Sequence, residues 1–152
     1  MKRVWMTVAL SMSLGCRDGS PSSATPNAFT DGAVAVVANV NDSAWPRDAL
    51  TIESVIVIGD TLRLAVHYGG GCHPHRVALL LGNAFMESYP VQVHARLAHD
   101  AAGDMCKALV ARTLDFDLTP LKRRYHASYG AGAAVVVLNL AGYSGSVRYA
   151  FD

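Results

Sequence analysis

Residues 52–68 read IESVIVIGDTLRLAVHY, and this stretch decides the fold. Ile52 to Ile58 is an apolar run rich in β-branched side chains. Gly59-Asp60 then makes a two-residue link, and glycine supplies the positive φ that a tight hairpin needs. In the arm that follows, Leu62, Leu64, Val66 and Tyr68 alternate with Thr61, Arg63, Ala65 and His67. A period of two is the mark of a half-buried strand, so the stretch predicts a hairpin with one face in a core.

The same punctuation extends in both directions. Ala33 to Val40 precedes the hairpin, and His75–Leu81, Val91–His99, Cys106–Leu114, Ala133–Leu140 and Val147–Phe151 follow it. Ala101-Ala102-Gly103-Asp104 reads as a hairpin loop between two of these runs. Leu118 to Tyr125 reads as a single helical turn interrupted by Pro120. Eight short strands separated by turns predict an all-β fold, an antiparallel β-sandwich of immunoglobulin-like or related type. A small β-barrel is the runner-up.

Composition sets the outer limits. The chain has 152 residues, enough for one domain of ordinary size. Hydrophobic residues make up 51% and charged residues 16%, which excludes an intrinsically disordered chain. The net charge is +1 and the one basic block is Lys122-Arg123-Arg124, so there is no footprint for nucleic acid. No apolar run reaches the roughly 18 residues of a spanning helix. Three cysteines are too few for a disulfide-dense mini-protein.

The first residues, MKRVWMTVALSMSLGC, have the layout of an export signal: Lys2 and Arg3, an apolar stretch from Val4 to Leu14, then Gly15-Cys16. Leu14-Gly15-Cys16 resembles a bacterial lipobox, although the aliphatic residue stands one place later than usual, with Ser13 in its stead. The resemblance implies cleavage before Cys16, a lipid on its sulfur and attachment to the cell envelope. Arg17, where an aspartate would signal inner-membrane retention, implies the outer membrane, facing the periplasm or the cell surface. A plain signal peptide cut nearby is the competing reading. Residues 1–15 are thus read as leader, 16–32 as a Ser/Pro/Gly-rich tether and 33–152 as the folded domain. Removing Lys2 and Arg3 from 13 basic residues leaves 11 against 12 acidic ones, a mature net charge of −1.

The candidate chemistry lies at Cys72, His75, His99 and Cys106. Tyr68-Gly69-Gly70-Gly71-Cys72-His73-Pro74-His75 is a glycine-rich corner between two strands. Strand phase puts His75 with Val77, Leu79 and Leu81, and His99 with Val91, Val93, Ala95 and Leu97, so both histidines face inward at strand ends. Three readings compete. The first is a structural Cys72–Cys106 disulfide, favoured in an exported protein. The second is a tetrahedral metal site of Cys72, His75, His99 and Cys106, holding zinc or, with soft sulfur ligands, copper. The third is a Cys72 nucleophile with His99 as base and Asp100 or Asp104 as orienter.

Three spaced motifs carry a second resemblance: Gly70-Gly71-Cys72-x-x-His75, His99-Asp100-x-x-x-Asp104-x-Cys106, and Phe116-Asp117-Leu118-x-Pro120-Leu121. They are similar to those of a group of small exported proteins and lipoproteins of uncharacterised function. The resemblance spans Tyr68 to Leu121, implies no activity, and favours Cys72 and Cys106 as a pair.

Other titratable groups read as structural. His67 and His94 fall on outward faces, His73 sits at the corner as a spare ligand, and His126 is a further group that titrates near neutral pH. Asp115 and Asp117 flank Phe116 and read as turn-forming carboxylates rather than an acid–base or calcium pair. Lys122-Arg123-Arg124 reads as a solvated turn, and Trp45 as an anchor for a loop, with ligand stacking as the alternative. P-loop, G-x-G-x-x-G, G-x-S-x-G and H-E-x-x-H motifs are all missing. The expected protein is a lipid-anchored, non-enzymatic binding or structural module. Its membrane contact is the lipid, its protein or small-molecule partner is unspecified, and it needs no cofactor unless the zinc reading holds.

Overall fold

The computed structural model describes residues 43–152 in full and residues 36–38 by their backbone. The export signal, Cys16 and the tether lie outside the described residues.

Eight strands and one helix follow in the order β1 (Val36–Ala38), β2 (Thr51–Ile58), β3 (Thr61–Gly70), β4 (Arg76–Leu81), β5 (Val91–Asp100), β6 (Ala108–Asp117), α1 (Thr119–Tyr129), β7 (Ala134–Leu140) and β8 (Val147–Phe151). They form a five-stranded sheet, β1-β4-β5-β7-β8, and a three-stranded sheet, β2-β3-β6. Both sheets curl, and together they enclose the core as a half-barrel. Each strand matches one of the eight apolar runs.

The opening hairpin forms as its sequence dictates. β2 and β3 pair antiparallel from Ile58↔Thr61, with Gly59 at φ 56°. Leu62, Leu64, Val66 and Tyr68 are buried while Arg63 points out. The arrangement departs from a purely antiparallel sandwich at two places, since β1–β4 and β5–β7 run parallel. β6 and α1 separate β5 from β7 in sequence, and a long crossover of this kind is what parallel neighbours require.

The expected hairpin at 101–104 is corrected. β5 pairs with β4 and β7, whereas β6 pairs with β3. Residues 101–107 therefore cross from one sheet to the other. Their turn is local, with the Asp104 N–H donated to the Ala101 carbonyl at 2.9 Å, and with Ala102 and Gly103 at positive φ.

Pro120 is likewise not an interruption. It occupies the first turn of α1, where its missing N–H would have had no helical partner anyway. Asp117 prepares that start by accepting the Thr119 N–H and hydroxyl at 2.8 and 2.5 Å. The basic triplet 122–124 lies on this helix rather than in a solvated turn. Arg124 is half-buried, donates to the Gly82 carbonyl at 2.7 Å and lies over the Phe85 ring.

The core gathers the inward faces of both sheets, among them Phe116 of β6, Val93 of β5, Leu138 of β7 and Tyr149 of β8, with Leu118 and Leu121 from the helix end. Trp45 joins this core, as a loop anchor should. Around α1 the contacts are aromatic: Tyr125 meets Phe151 at 5.4 Å and Phe85 at 6.0 Å between ring centres, both edge-on. Tyr149 is fully buried and donates its hydroxyl proton to Asp60 at 2.6 Å, tying β8 to the β2–β3 turn. Burial and the Asp60 carboxylate both push that phenol above its usual range.

Candidate functional site

The site lies at the end of the half-barrel away from α1, where β3 leaves the small sheet and β6 begins. The β3–β6 register ends at Gly70↔Ala108. Carried two residues further, the same antiparallel register sets Cys72 opposite Cys106. The two are joined in a disulfide, with Cα atoms 5.9 Å apart, and the bond continues the ladder covalently. Cys72 is exposed and Cys106 half-buried. Closing a 34-residue span contributes about 3–4 kcal/mol in the chain-entropy account.

Asp104 is the hub beneath this bond. Its Oδ2 accepts the N–H of Cys72 at 2.8 Å and of His73 at 2.9 Å, and its Oδ1 accepts the N–H of Cys106 at 2.9 Å. One carboxylate thus fixes the backbone on both sides of the disulfide. The Cys106 N–H, then that of His73, holds this carboxyl well below the usual carboxylate range, against the opposing effect of burial. Its side chain is shielded from solvent, as is that of His75.

From Asp104 a chain of hydrogen bonds runs inward. His75 Nε2 lies 3.3 Å from Asp104 Oδ2, and His75 Nδ1 lies 2.9 Å from His99 Nε2. His99 Nδ1 faces two backbone carbonyls, Ala49 at 3.1 Å and Asp48 at 3.3 Å. The proton positions follow from the partners. Carbonyls only accept, so His99 Nδ1 carries a hydrogen. The contact between the rings needs one hydrogen, and the carboxylate needs another on His75 Nε2. The chain is satisfied when the two rings hold three N–H groups, one positive charge opposite the Asp104 carboxylate. Burial lowers the pKa of His99, and the hydrogen bond to the Asp48 carbonyl opposes that effect only in part.

Packing enforces this line. The Tyr68 ring stacks on His75 at 4.5 Å between centres and tilts against His99 at 4.8 Å. On the other side the backbone of Gly70 lies so close that a Cβ there would stand 2.6 Å from His75 Nε2 and 3.1 Å from Asp104 Oδ2. Gly70 also has φ 150°, so both space and backbone require glycine.

The structure therefore brings together Cys72, His75, His99 and Cys106, with both histidines inward as strand phase predicts. Their connections differ from the ligand set read in the sequence. Both sulfurs are used by the disulfide, and both His99 nitrogens by other partners. The atoms that do converge as metal ligands are Cys72 Sγ, Asp104 and Cys106 Sγ, all within 4.8 Å of one another. A nucleophile reading fares similarly: Cys72 has no free thiol in this state, and Asp100 is paired with Arg76.

His67 bonds Glu53 at 2.8 Å, and Asp115 binds Arg63 through two bonds of 2.7 and 2.6 Å across β3–β6. His73 and His94 are exposed, and His126 packs against Phe151. Two surface grooves lie elsewhere: one of about 650 Å³ beside Arg47, Arg96 and Tyr143, another of about 760 Å³ beside Tyr89, Tyr125 and Arg148.

No protein-family profile matches the sequence, and no curated protein matches it. Solved structures do share its shape. A NigD-like immunity protein from Bacteroides caccae superposes with a TM-score of 0.55 at 13% identity, over 79% of this chain and 58% of that protein. A toxin-related protein from Parabacteroides distasonis gives 0.49 at 18% identity, over 80% of this chain and 59% of the other. A protein of unknown function (DUF1344) from Bacteroides vulgatus gives 0.46 at 14%, over 80% of this chain and 56% of the other. The chain thus spans less than two thirds of each. The first of these establishes a shared β architecture, and at such identity it establishes the fold alone.

Proposed function

We propose that the chain is a lipid-anchored protein of the bacterial cell envelope whose β domain acts as a non-enzymatic binding or structural module. One observation carries the reading. At the end richest in chemistry-bearing residues, the reactive groups are engaged in holding the backbone together. Asp104 accepts from three backbone N–H groups, His99 donates to carbonyls of the 48–49 segment, and both sulfurs are bonded to each other. A hydrolytic or transfer centre needs a nucleophile or base free to meet substrate. Here those groups fasten β3, β5, β6 and the segment before β2. The lipobox-like Leu14-Gly15-Cys16 and the polar segment 17–32 support the anchor, in the outer membrane on its periplasmic or outer face.

The test is a mass measurement together with lipid labelling. Isolated without reductant, the protein should gain two hydrogens on reduction. Radiolabelled palmitate should enter the wild type and not Cys16→Ala. Two free thiols before reduction would overturn the staple, and equal labelling of both proteins would overturn the anchor.

A further inference from the structure

The hydrogen-bond chain leaves one feature unexplained by stapling. A disulfide needs no buried imidazole pair beside it, yet His75 and His99 are 5% and 2% exposed and run in single file to Asp104, the carboxylate that shares a cluster with the sulfurs. Metal-binding histidines are oriented in this way: one ring nitrogen faces the ion, and the other donates to a fixed acceptor behind it.

The geometry points to a soft-cation site that appears when the disulfide is reduced, with Cys72 Sγ, Cys106 Sγ, Asp104 and His75 Nε2 as ligands and His99 as the residue that aims His75. Four arguments support it. The two sulfurs and the Asp104 oxygen already lie within 4.8 Å, and His75 Nε2 is 3.3 Å from Asp104 Oδ2. Sulfurs bound tetrahedrally at about 2.3 Å stand roughly 3.8 Å apart, a span that residues with Cα atoms 5.9 Å apart can bridge. The hydrogen inventory also fits. With an ion at His75 Nε2, two N–H groups remain on the two rings, one from His75 Nδ1 to His99 Nε2 and one from His99 Nδ1 to the Ala49 carbonyl. Every ring nitrogen keeps a partner, so the cation takes the place of one proton. Finally, Gly70 leaves the space against His75 Nε2 free of a side chain.

The chemistry balances with a dithiol donor. Its thiolate attacks the exposed Cys72 sulfur and the Cys106 sulfur leaves. The donor's second thiolate then closes its own disulfide and releases Cys72. Two electrons and two protons pass to the protein, giving two thiols, and the donor ends oxidised. Binding one divalent cation then releases a proton from each thiol and the proton on His75 Nε2. Reoxidation expels the ion. Two thiolates, an imidazole and a carboxylate suit Zn²⁺, and the sulfurs alone suit Cu⁺. This site depends on the cysteine pair and not on the lipid, so a protein that fails to be lipidated leaves the inference standing.

The experiment uses the full chain in detergent, with Cys16→Ser so that two cysteines remain, and a phosphine reductant. Zn²⁺ is added and content is measured after gel filtration. Co²⁺ serves as a spectroscopic probe, with near-ultraviolet circular dichroism to follow the fold. The reduced protein should retain one equivalent of zinc and give thiolate charge-transfer and tetrahedral cobalt bands, and the oxidised protein should give neither. His75→Gln and Asp104→Asn should each weaken binding by at least roughly 100-fold, and His99→Gln by roughly 10–100-fold with the cobalt bands unchanged in position. A reduced, folded chain that retains no zinc overturns the inference. So does a reduced chain that unfolds and is not restored by zinc, or His75→Gln binding as tightly as the parent.

Discussion

The two ends of the half-barrel are held by opposite means. At the α1 end, Leu118, Leu121, Phe151 and Tyr125 close the core by apolar area and edge-on aromatic contacts. At the cysteine end, closure depends on a few polar atoms in fixed geometry: one disulfide, one carboxylate and two imidazoles. Apolar closure is spread over many contacts and indifferent to protons and electrons. Polar closure is concentrated, so it responds to both. One fold thus combines an end held mainly by apolar contact with an end held mainly by polar atoms that protons and electrons can alter.

The largest test breaks the polar end covalently. Replacing both Cys72 and Cys106 by serine should cost about 3–4 kcal/mol in urea denaturation. Hydrogen exchange should rise at 70–76 and 99–106 while α1 stays protected; equal loss at both ends would remove the distinction. Leu121→Ala at the apolar end should cost about 3 kcal/mol, since the side chain is 1% exposed. That loss should be the same with and without reductant.

Acid should separate the ends without any mutation. Folding lowers the pKa of His99 from its ordinary 6.5, so the unfolded chain binds that proton more readily, and stability falls as pH drops below about 6.5. Asp104 is depressed from 3.8, so its contribution is complete above about pH 4 and lost as pH falls toward its folded value. Exchange at 99–106 should therefore accelerate in two steps on acidification, and His99→Gln should remove the first. Only the first step separates the ends, because Asp117 at the start of α1 is also a depressed carboxylate, and exchange in α1 that follows that first step would contradict the comparison. The smallest effect is expected from Tyr149→Phe, which deletes the phenol bond to Asp60 at the apolar end. It should cost about 1 kcal/mol, measured by thermal unfolding.

Much of this was legible from the chain. Alternation in 61–68 and the two-residue Gly59-Asp60 link define the first hairpin, and phase alone turns His75 and His99 inward. What strand phase cannot give is which strands pair across a distance. The loop 101–107 has turn residues that suit a hairpin, and only the competition between sheets sends β6 to β3 instead of β5. That pairing is also what sets Cys72 opposite Cys106. Asp104 carried a readable signal, an aspartate two residues before Cys106 that bonds its N–H, yet its reach to residues 72, 73 and 75 depends on the crossing. The carbonyls of Asp48 and Ala49 carry no sequence signal at all, because every residue has one.

The disulfide also shortens the chain's path in a topological sense. Gly70 and Ala108 begin a ten-pair ladder, and the intervening residues hold β4 and β5, both members of the other sheet. Once Cys72 and Cys106 are joined, β3 and β6 are connected through two sulfurs, and β4–β5 becomes a closed side loop. A non-local pairing has turned into a hairpin. Non-local pairings are the slow step of β folds, because the entropy of closing the loop is lost before contacts compensate it. Oxidised chains should therefore refold faster than reduced ones, with the gain in the folding rate rather than in the unfolding rate. The bond would then act earlier than the structure it stabilises, as a guide to which strands meet.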